Sequence, residues 1–159
     1  MTIAQQNQQQ ATPFHPLPSP GDIVWCHYPE SVQAADDSPC KARPALVSAV
    51  SDHDHCIEVC YGTSQKTGAS QIYPSEFVLD PAADGFDLSG LATRTKFDTG
   101  QRWYLPFNSR WFSKSPGVDI EIPLPKLGVL HPSFLPELRA AVASGRLSGT
   151  SVVSMPKTA

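Results

Sequence analysis

The sequence predicts a mainly β domain, a small barrel with one helix near its carboxyl end. Several short runs of β-branched and aromatic residues are separated by turns rich in Gly, Pro and Asp, as in a curled antiparallel sheet. Only residues 133–144 carry apolar side chains at convincing helical spacing. The 159 residues, 40% of them hydrophobic, suit one domain with a modest core. No Walker loop, dinucleotide-binding fingerprint or internal repeat is present.

The amino-terminal part of the chain divides into an arm, a first strand and a loop. Residues 1–20 are rich in Gln and Pro and lack Asp, Glu, Lys and Arg, so we expect a disordered arm without a role in the fold. The barrel domain is predicted over residues 21–148. Its first strand covers residues 21–28 and stops before a proline, and residues 29–42 then form a loop with an acidic pair.

Two further strands, at residues 45–50 and 56–63, flank a polar turn and should form an antiparallel hairpin. Arg43 opens the first strand, since the following Pro44 biases it toward an extended conformation, and Thr63 closes the second. The hairpin should therefore bring a guanidinium and a hydroxyl to one rim. An arginine fork can bind two phosphate oxygens at once, and a threonine hydroxyl can donate another hydrogen bond. This rim has the outline of a phosphoester site.

The middle of the chain continues the sheet. Residues 66–71 are polar and turn-like, residues 76–80 form a predicted short strand, and residues 81–90 form a loop. Residues 93–105 predict two strand segments, which join at a bulge or turn near Thr99-Gly100.

An aromatic-rich segment follows at residues 106–125. It contains three aromatic and two cationic side chains: Phe107, Trp111, Phe112, Arg110 and Lys114. Such a mixture can stack single-stranded bases while the charges hold the backbone, or it can simply cover the core or a dimer contact.

The predicted helix should pack on the barrel. We expect Ser133 to be its N-cap and Gly145 to provide its C-terminal cap. Residues 149–159 are expected to form a flexible tail.

Three short motifs follow one another in order: Gly21-Asp22-Ile23-Val24-Trp25, Arg43-Pro44-Ala45-Leu46-Val47 and Tyr61-Gly62-Thr63-Ser64-Gln65. Together they resemble the MazF/PemK family of toxin endoribonucleases from bacterial toxin-antitoxin modules, over roughly residues 21–144. The resemblance implies a small SH3-like barrel of the CcdB/MazF type. It also implies that Arg43 and Thr63 are the catalytic pair.

The activity that the resemblance implies is metal-independent cleavage of single-stranded RNA, such as mRNA, without a cofactor. The 2'-hydroxyl of the RNA would attack the neighbouring phosphorus and leave a 2',3'-cyclic phosphate and a 5'-hydroxyl. Candidates for the general base are His27, Glu30 and Asp98. The expected RNA-binding residues are Lys41, Ser64, Gln65, Lys66, Lys96 and Arg102. A cognate antitoxin protein and a second copy of the chain, in a homodimer, are the expected protein partners.

Composition limits where and how such a protein acts. A net charge of -3 argues against bulk electrostatic coating of nucleic acid, so any RNA contact should be local. No apolar run approaches the length of a membrane helix and no secretory signal is visible, so we expect a cytoplasmic protein. The four cysteines, Cys26, Cys40, Cys56 and Cys60, are expected to be free thiols.

Other functions remain open at this point. His53, His55, Cys56 and Cys60 could bind zinc, but their spacing matches no common zinc site, so no metal is expected. Cys26 and His27 are adjacent on a strand and should point apart, which excludes a catalytic dyad between them. The same barrel also supports a gyrase-binding toxin resembling CcdB, or a catalytically silent interaction domain.

Overall fold

The structure is a computed structural model that describes residues 13–28, 41–115, 125–149 and 151–155. Within these residues the chain forms a seven-stranded sheet and one α-helix, with three short 3-10 turns. The strands are β1 (Asp22–Tyr28), β2 (Lys41–Ser51), β3 (Cys56–Thr63), β4 (Glu76–Leu79), β5 (Thr95–Pro106), β6 (Lys126–Val129) and β7 (Val152–Ser154), and the helix is α1 (Leu135–Leu147).

The sheet is almost entirely antiparallel. Its strand order is β4-β5-β3-β2-β1-β6, and β7 pairs in parallel with β5 beyond this path. Consecutive strands β1, β2 and β3 are neighbours in the sheet, as consecutive elements usually are. The predicted mainly β class with a carboxyl-terminal helix is confirmed.

Two apolar clusters lie on opposite faces of the sheet, because successive strand residues point to alternate sides. The aromatic-side core contains Val24, Cys26, Tyr28, Ala45, Val47, Ile57, Val59, Leu105, Phe107, Trp111 and Phe112. The helix-side core contains Ile23, Leu46, Cys60, Phe77, Leu79, Phe86, Phe97, Leu130, Phe134 and Ala141. Helix α1 packs on the helix-side core through Ala141, Leu135 and Leu138. The sheet therefore lies between the two cores.

Strand β5 is continuous but carries the predicted irregularity. Opposite β3 its register jumps, since Cys60 pairs with Arg102 while the next residue, Tyr61, pairs with Asp98. The extra residues bulge around Gly100, whose amide donates to Asp98 Oδ1 at 2.9 Å. The prediction of a bulge near Thr99-Gly100 is confirmed.

Strand β2 begins earlier than predicted, at Lys41, so Arg43 and Pro44 lie within it. Pro44 pairs with Trp25 of β1, whereas pairing with β3 begins one residue later, at Ala45. The proline, which has no amide hydrogen to donate, is tolerated because it lies one residue before the ladder with β3 begins.

The ends of the helix also differ from the prediction. A 3-10 turn over Pro132–Phe134 precedes α1, and the amide of Ser133 donates to His131 Nδ1 at 3.0 Å, so Ser133 does not cap α1. Gly145 is buried inside the helix. The helix ends at Leu147, and Gly149 provides the left-handed conformation after it, with φ +70°.

Both terminal segments are partly built into the fold. Residues 13–20 of the expected arm contact the turn after β5, where the Ser109 amide donates to Pro13 O at 2.9 Å and the His15 amide donates to Phe107 O at 3.1 Å. In the expected tail, Val152–Ser154 forms β7. These backbone pairings tie parts of the expected arm and tail to the sheet. Residues 1–12 and 156–159, and most of the predicted 29–42 loop, lie outside the described residues.

Candidate functional site

Arg43 and Thr63 meet at one rim of the sheet, as the hairpin argument expects. Arg43 Nη1 donates to Thr63 Oγ1 at 3.3 Å. The same hydroxyl oxygen accepts the amide of Gln65 at 3.1 Å, and Thr63 is only 9% exposed. Because both contacts use lone pairs of Oγ1, the hydroxyl hydrogen is left to donate to a ligand.

An aromatic stack orients the arginine. The Arg43 guanidinium carbon lies 4.8 Å from the centre of the Tyr61 ring, and Tyr61 meets Tyr28 edge to face with centroids 5.4 Å apart. A guanidinium over an aromatic face gains cation-π attraction and loses rotational freedom. Burial raises the pKa of Tyr28 well above its usual value, so this supporting ring stays uncharged.

Arg43 keeps unused hydrogen-bonding capacity. Its Nε is buried and has no partner in the part of the chain that the structure describes, and no carboxylate of those residues forms an ion pair with it. A buried donor without an acceptor costs about 1 to 3 kcal/mol. The guanidinium can therefore take up an anion without first breaking a described salt bridge.

Gly62 explains how the two side chains come so close. A Cβ atom at this position would lie 2.7 Å from Phe97 Cε1 and 2.8 Å from Pro44 O. Strand β3 thus passes against the backbone of β2 at a distance that only glycine permits, which sets Thr63 beside Arg43. Sequence reasoning quoted Gly62 in a motif but missed this role, for which the signal was a glycine inside a strand.

Lys96, an expected RNA contact, is instead part of the framework. Its Nζ forms an ion pair with Glu76 Oε2 at 3.0 Å and donates to Gln71 O at 3.2 Å. The side chains of Lys96 and Glu76 are 6% and 7% exposed. Its charge is therefore neutralised by Glu76 and covered by the fold.

Arg102, another expected RNA contact, lies on the opposite face of the sheet. It pairs with Cys60 of the helix-side core, and its Nη1 donates to Glu58 Oε1 at 2.8 Å. Its side chain lines a groove of about 820 Å³ between the sheet and α1. Because paired strand residues share a face, Arg102 and Thr63 point to different sides of the sheet.

The other expected RNA contacts remain beside the rim. Ser64, Gln65 and Lys66 are exposed directly after Thr63, and Lys66 adopts a left-handed conformation with φ +53°. Lys41 is the first residue of β2, opposite Tyr28, and only its backbone is described.

The candidates for the general base lie on different faces of the sheet. Cys26 pairs with Arg43 and shares its face, so the next residue, His27, points to the opposite face. The Nε2 atom of His27 lies 2.6 Å from Ser113 Oγ. Burial lowers the pKa of His27. Asp98 pairs with Tyr61 and accepts from Ser75 Oγ at 3.1 Å, which places it on the face of Arg43 and Thr63. Glu30 lies outside the described residues.

The aromatic-rich segment covers the core rather than presenting its rings. Phe107, Trp111 and Phe112 are 2%, 2% and 0% exposed in the aromatic-side core. Arg110 stacks over Trp111, with its guanidinium carbon 4.7 Å from the ring centre. These rings are not available to stack bases, and residues 116–124 of the segment lie outside the described part of the chain.

Nothing in the described residues groups three or more His, Cys, Asp or Glu side chains as a metal site would require. Cys56 and Cys60 are buried free thiols, Cys26 is also buried, and Cys40 lies outside the described residues. Burial raises the pKa of Cys60 to about 12, which makes it a poor nucleophile. In the same residues, no helix has both the length and the apolar composition needed to cross a lipid bilayer.

No protein-family model and no curated protein matches the sequence. Solved structures do match. An endoribonuclease in complex with its cognate antitoxin, from a mycobacterial species, is 13% identical over 82% of this chain and 95% of that chain, with a TM-score of 0.51. The Mycobacterium tuberculosis toxin MazF-mt6 is 16% identical over 79% and 95%, with a TM-score of 0.51. MazF from Deinococcus radiodurans is 22% identical over 85% and 99%, also with a TM-score of 0.51. The chain therefore has the fold of the MazF toxins, as the three motifs predicted.

Proposed function

We propose that this chain is a toxin endoribonuclease that cleaves single-stranded RNA without a metal ion or cofactor, with Arg43 and Thr63 as its catalytic pair. The observation that carries the proposal is the contact between Arg43 Nη1 and Thr63 Oγ1 at 3.3 Å, beside a guanidinium that has no carboxylate partner in the described residues. The matching fold of several endoribonucleases supports it.

The reaction is an internal transfer within the RNA. The 2'-oxygen forms a bond to the neighbouring phosphorus, the bond from phosphorus to the 5'-oxygen breaks, and a proton moves from the 2'-hydroxyl to the leaving 5'-oxygen. Arg43 neutralises charge on the phosphoryl oxygens and Thr63 orients the phosphate through its hydroxyl hydrogen. Each preorganised donor of this kind contributes roughly 3 to 4 kcal/mol of transition-state stabilisation.

The attacking hydroxyl also needs a base. Of the two candidates within the described residues, Asp98 shares the face of the catalytic pair, whereas His27 points away from it. Asp98 is therefore the better candidate, and its carboxylate already accepts the Gly100 amide at 2.9 Å, which fixes its orientation.

The RNA contacts should be few and local, since the whole chain has a net charge of -3. Ser64, Gln65 and Lys66 supply exposed polar groups next to Thr63, and Lys41 lies at the start of the strand that carries Arg43. We assign these four residues to RNA binding and leave out Lys96 and Arg102, whose charges are neutralised within the fold.

Two protein partners belong to the same proposal, together with a cytoplasmic site of action. One structural neighbour was solved with its cognate antitoxin. We expect an antitoxin here whose partly disordered tail lies across the Arg43 and Thr63 rim, and a cognate partner that bound without inhibiting cleavage would contradict this. We also expect a symmetric dimer of the free protein. A concentration-independent monomer mass in light scattering would exclude it.

End-group analysis tests the reaction type. Purified protein is incubated with a defined single-stranded RNA in excess EDTA, and the product ends are identified by enzymatic labelling and mass spectrometry. We expect 2',3'-cyclic phosphate and 5'-hydroxyl ends at an undiminished rate. Ends that carry a 5'-phosphate, or cleavage that stops in EDTA, would require a different chemistry.

A further inference from the structure

Tyr73 is an exposed aromatic residue in the segment that leads from Thr63 to β4. Its side chain is 70% exposed, in contrast to the buried rings of Phe107, Trp111 and Phe112. Aromatic side chains usually bury much of their surface, so a ring left in solvent next to a phosphate-binding pair is available for a ligand. Sequence reasoning missed Tyr73, because a single tyrosine in a polar turn gives no pattern.

The backbone around Tyr73 is held firmly although its ring is exposed. The Tyr73 amide donates to Glu76 Oε1 at 2.8 Å, and its carbonyl accepts the Glu76 amide at 2.9 Å. The following Pro74 restricts Tyr73 to extended conformations. One residue further on, the carbonyl of Ser75 accepts the Thr99 hydroxyl at 2.7 Å. The backbone position of Tyr73 is thus fixed by contacts that do not involve its ring.

The ion pair between Lys96 and Glu76 links Tyr73 to the rim that carries Arg43 and Thr63. Lys96 Nζ lies 5.7 Å from the centre of the Tyr73 ring and forms its ion pair with Glu76, which holds the Tyr73 amide. In the sheet Lys96 is the direct partner of Thr63. Paired residues of antiparallel strands lie about 4.5 to 5.5 Å apart and share a face. One lysine side chain therefore separates the ring from Thr63.

We propose that Tyr73 is a stacking platform for one base of the RNA, positioned by the Lys96–Glu76 ion pair, an inference that rests on the endoribonuclease function proposed above. An RNA strand whose phosphate is held by Arg43 and Thr63 carries its neighbouring bases over the same face. Stacking on a tyrosine ring accepts any base, because every base has a π-face. The buried pair then has a purpose besides stability, since it holds an aromatic ring in solvent at a fixed place.

The test separates binding from chemistry. RNA with 2'-fluoro in place of every 2'-hydroxyl cannot be cleaved by internal attack, so its dissociation constant reports binding alone. Fluorescence anisotropy is used with a random-sequence pool of this RNA. We expect Tyr73→Ala to weaken binding about 5- to 100-fold, while Tyr73→Phe, which keeps the ring, binds within about twofold of the wild type.

Two further readouts distinguish stacking from a general structural effect. The dependence of binding on salt should be unchanged in Tyr73→Ala, because no phosphate contact is lost. Oligonucleotides with 2-aminopurine at successive positions should show quenching by the wild type that disappears in Tyr73→Ala and persists in Tyr73→Phe. The matched control is Tyr104→Ala, because Tyr104 bonds to Asp54 in the turn at the far end of β3 and should not affect binding.

Each outcome decides the inference. If wild-type protein binds the RNA and Tyr73→Ala binds equally well, Tyr73 is not a stacking platform while the proposed function stands. If Tyr73→Phe loses as much binding as Tyr73→Ala, the hydroxyl and not the ring makes the contact, and stacking is wrong. If the wild type neither binds this RNA nor cleaves unmodified RNA, the proposed function is wrong, and the inference that rests on it is wrong too.

Discussion

Arg43 and Arg102 show why two similar cations of one sheet have different roles. Each lies in a strand, and each has a buried Nε without a partner in the described residues. Arg102 donates to Glu58 Oε1 at 2.8 Å and to Ser151 Oγ at 2.6 Å. Arg43 donates to the Thr63 hydroxyl instead and stacks over Tyr61. One charge is neutralised inside the fold, whereas the other is left to attract an anion.

The two arginines also differ in their surroundings. Arg102 lines the groove beside α1, whose walls include Leu46, Leu135 and Leu138. Arg43 lies at the rim, next to the exposed polar residues that follow Thr63. A cation that is paired with a carboxylate loses most of its attraction for phosphate. The number of cations in a sequence therefore does not measure how well the protein binds RNA. The contact partners of each cation decide which one can act.

The largest expected loss of stability comes from breaking the Lys96–Glu76 ion pair. Like Arg102, Lys96 is paired with a carboxylate. Glu76→Ala leaves the Lys96 ammonium buried without its carboxylate and removes the acceptor of the Tyr73 amide. We expect a loss of about 3 to 5 kcal/mol in the free energy of unfolding, measured by urea denaturation.

Asp80→Ala is the matched control for this variant. Asp80 pairs with Arg94, but both side chains are about two-fifths exposed, at 43% and 39%. Such pairs contribute about 0 to 1 kcal/mol. Equal losses in the two variants would show that the Lys96–Glu76 pair is not a special part of the framework.

A smaller loss of stability is expected for Gly62→Ala, which tests how the rim is assembled. The added methyl would overlap Phe97 and Pro44 O, so β3 must move away from β2. Overpacking of this kind costs about 1 to 3 kcal/mol. Since the movement also separates Thr63 from Arg43, cleavage should fall even where the protein is fully folded. Unchanged activity in a folded Gly62→Ala protein would mean that the close approach of the strands does not set the catalytic pair.

The smallest effect concerns His27, on the face away from Arg43. Burial lowers its pKa, so the unfolded chain binds a proton before the folded protein does as the pH falls through about 6.5. Stability should therefore decrease below that pH, and His27→Gln should make this decrease shallower. Urea unfolding at about pH 7.5 and about pH 5.5 measures the difference. We expect cleavage by His27→Gln to stay within about threefold of the wild type. A loss of about 10²-fold or more, as expected on removing a catalytic base, would show that His27 takes part in the reaction.

Much of the fold could be predicted because its signals are local. Apolar runs bounded by turn residues located β1, β3, β4 and the bulge of β5. The order of Arg43, Pro44 and Thr63 along a hairpin predicted their meeting at one rim. The helix ends were misplaced, because α1 begins only after the 3-10 turn at Pro132–Phe134 and runs through the buried Gly145 to Leu147.

What the sequence could not show depends on pairing between distant residues. Lys96 and Arg102 are separated from Glu76 and Glu58 by 20 and 44 positions, and no local pattern reveals which carboxylate each cation meets. The register jump at Cys60 and Tyr61 also decides which β5 residues share the face of Thr63. For the same reason, residues 152–154 gave no sign that they would pair with β5.

The most direct measurement of the Arg43 and Thr63 site is single-turnover cleavage of a fluorescent RNA in EDTA by three folded variants. Arg43→Lys keeps the charge but loses the planar fork, and Thr63→Val keeps the shape but loses the hydroxyl, so each should slow cleavage by about 10²- to 10³-fold. Arg102→Lys should cleave within about threefold of the wild type, because its partner Glu58 already neutralises that position. Circular dichroism checks that each variant is folded. If Arg43→Lys and Thr63→Val cleave at the wild-type rate, or if Arg102→Lys loses as much activity as they do, the rim is not the catalytic site.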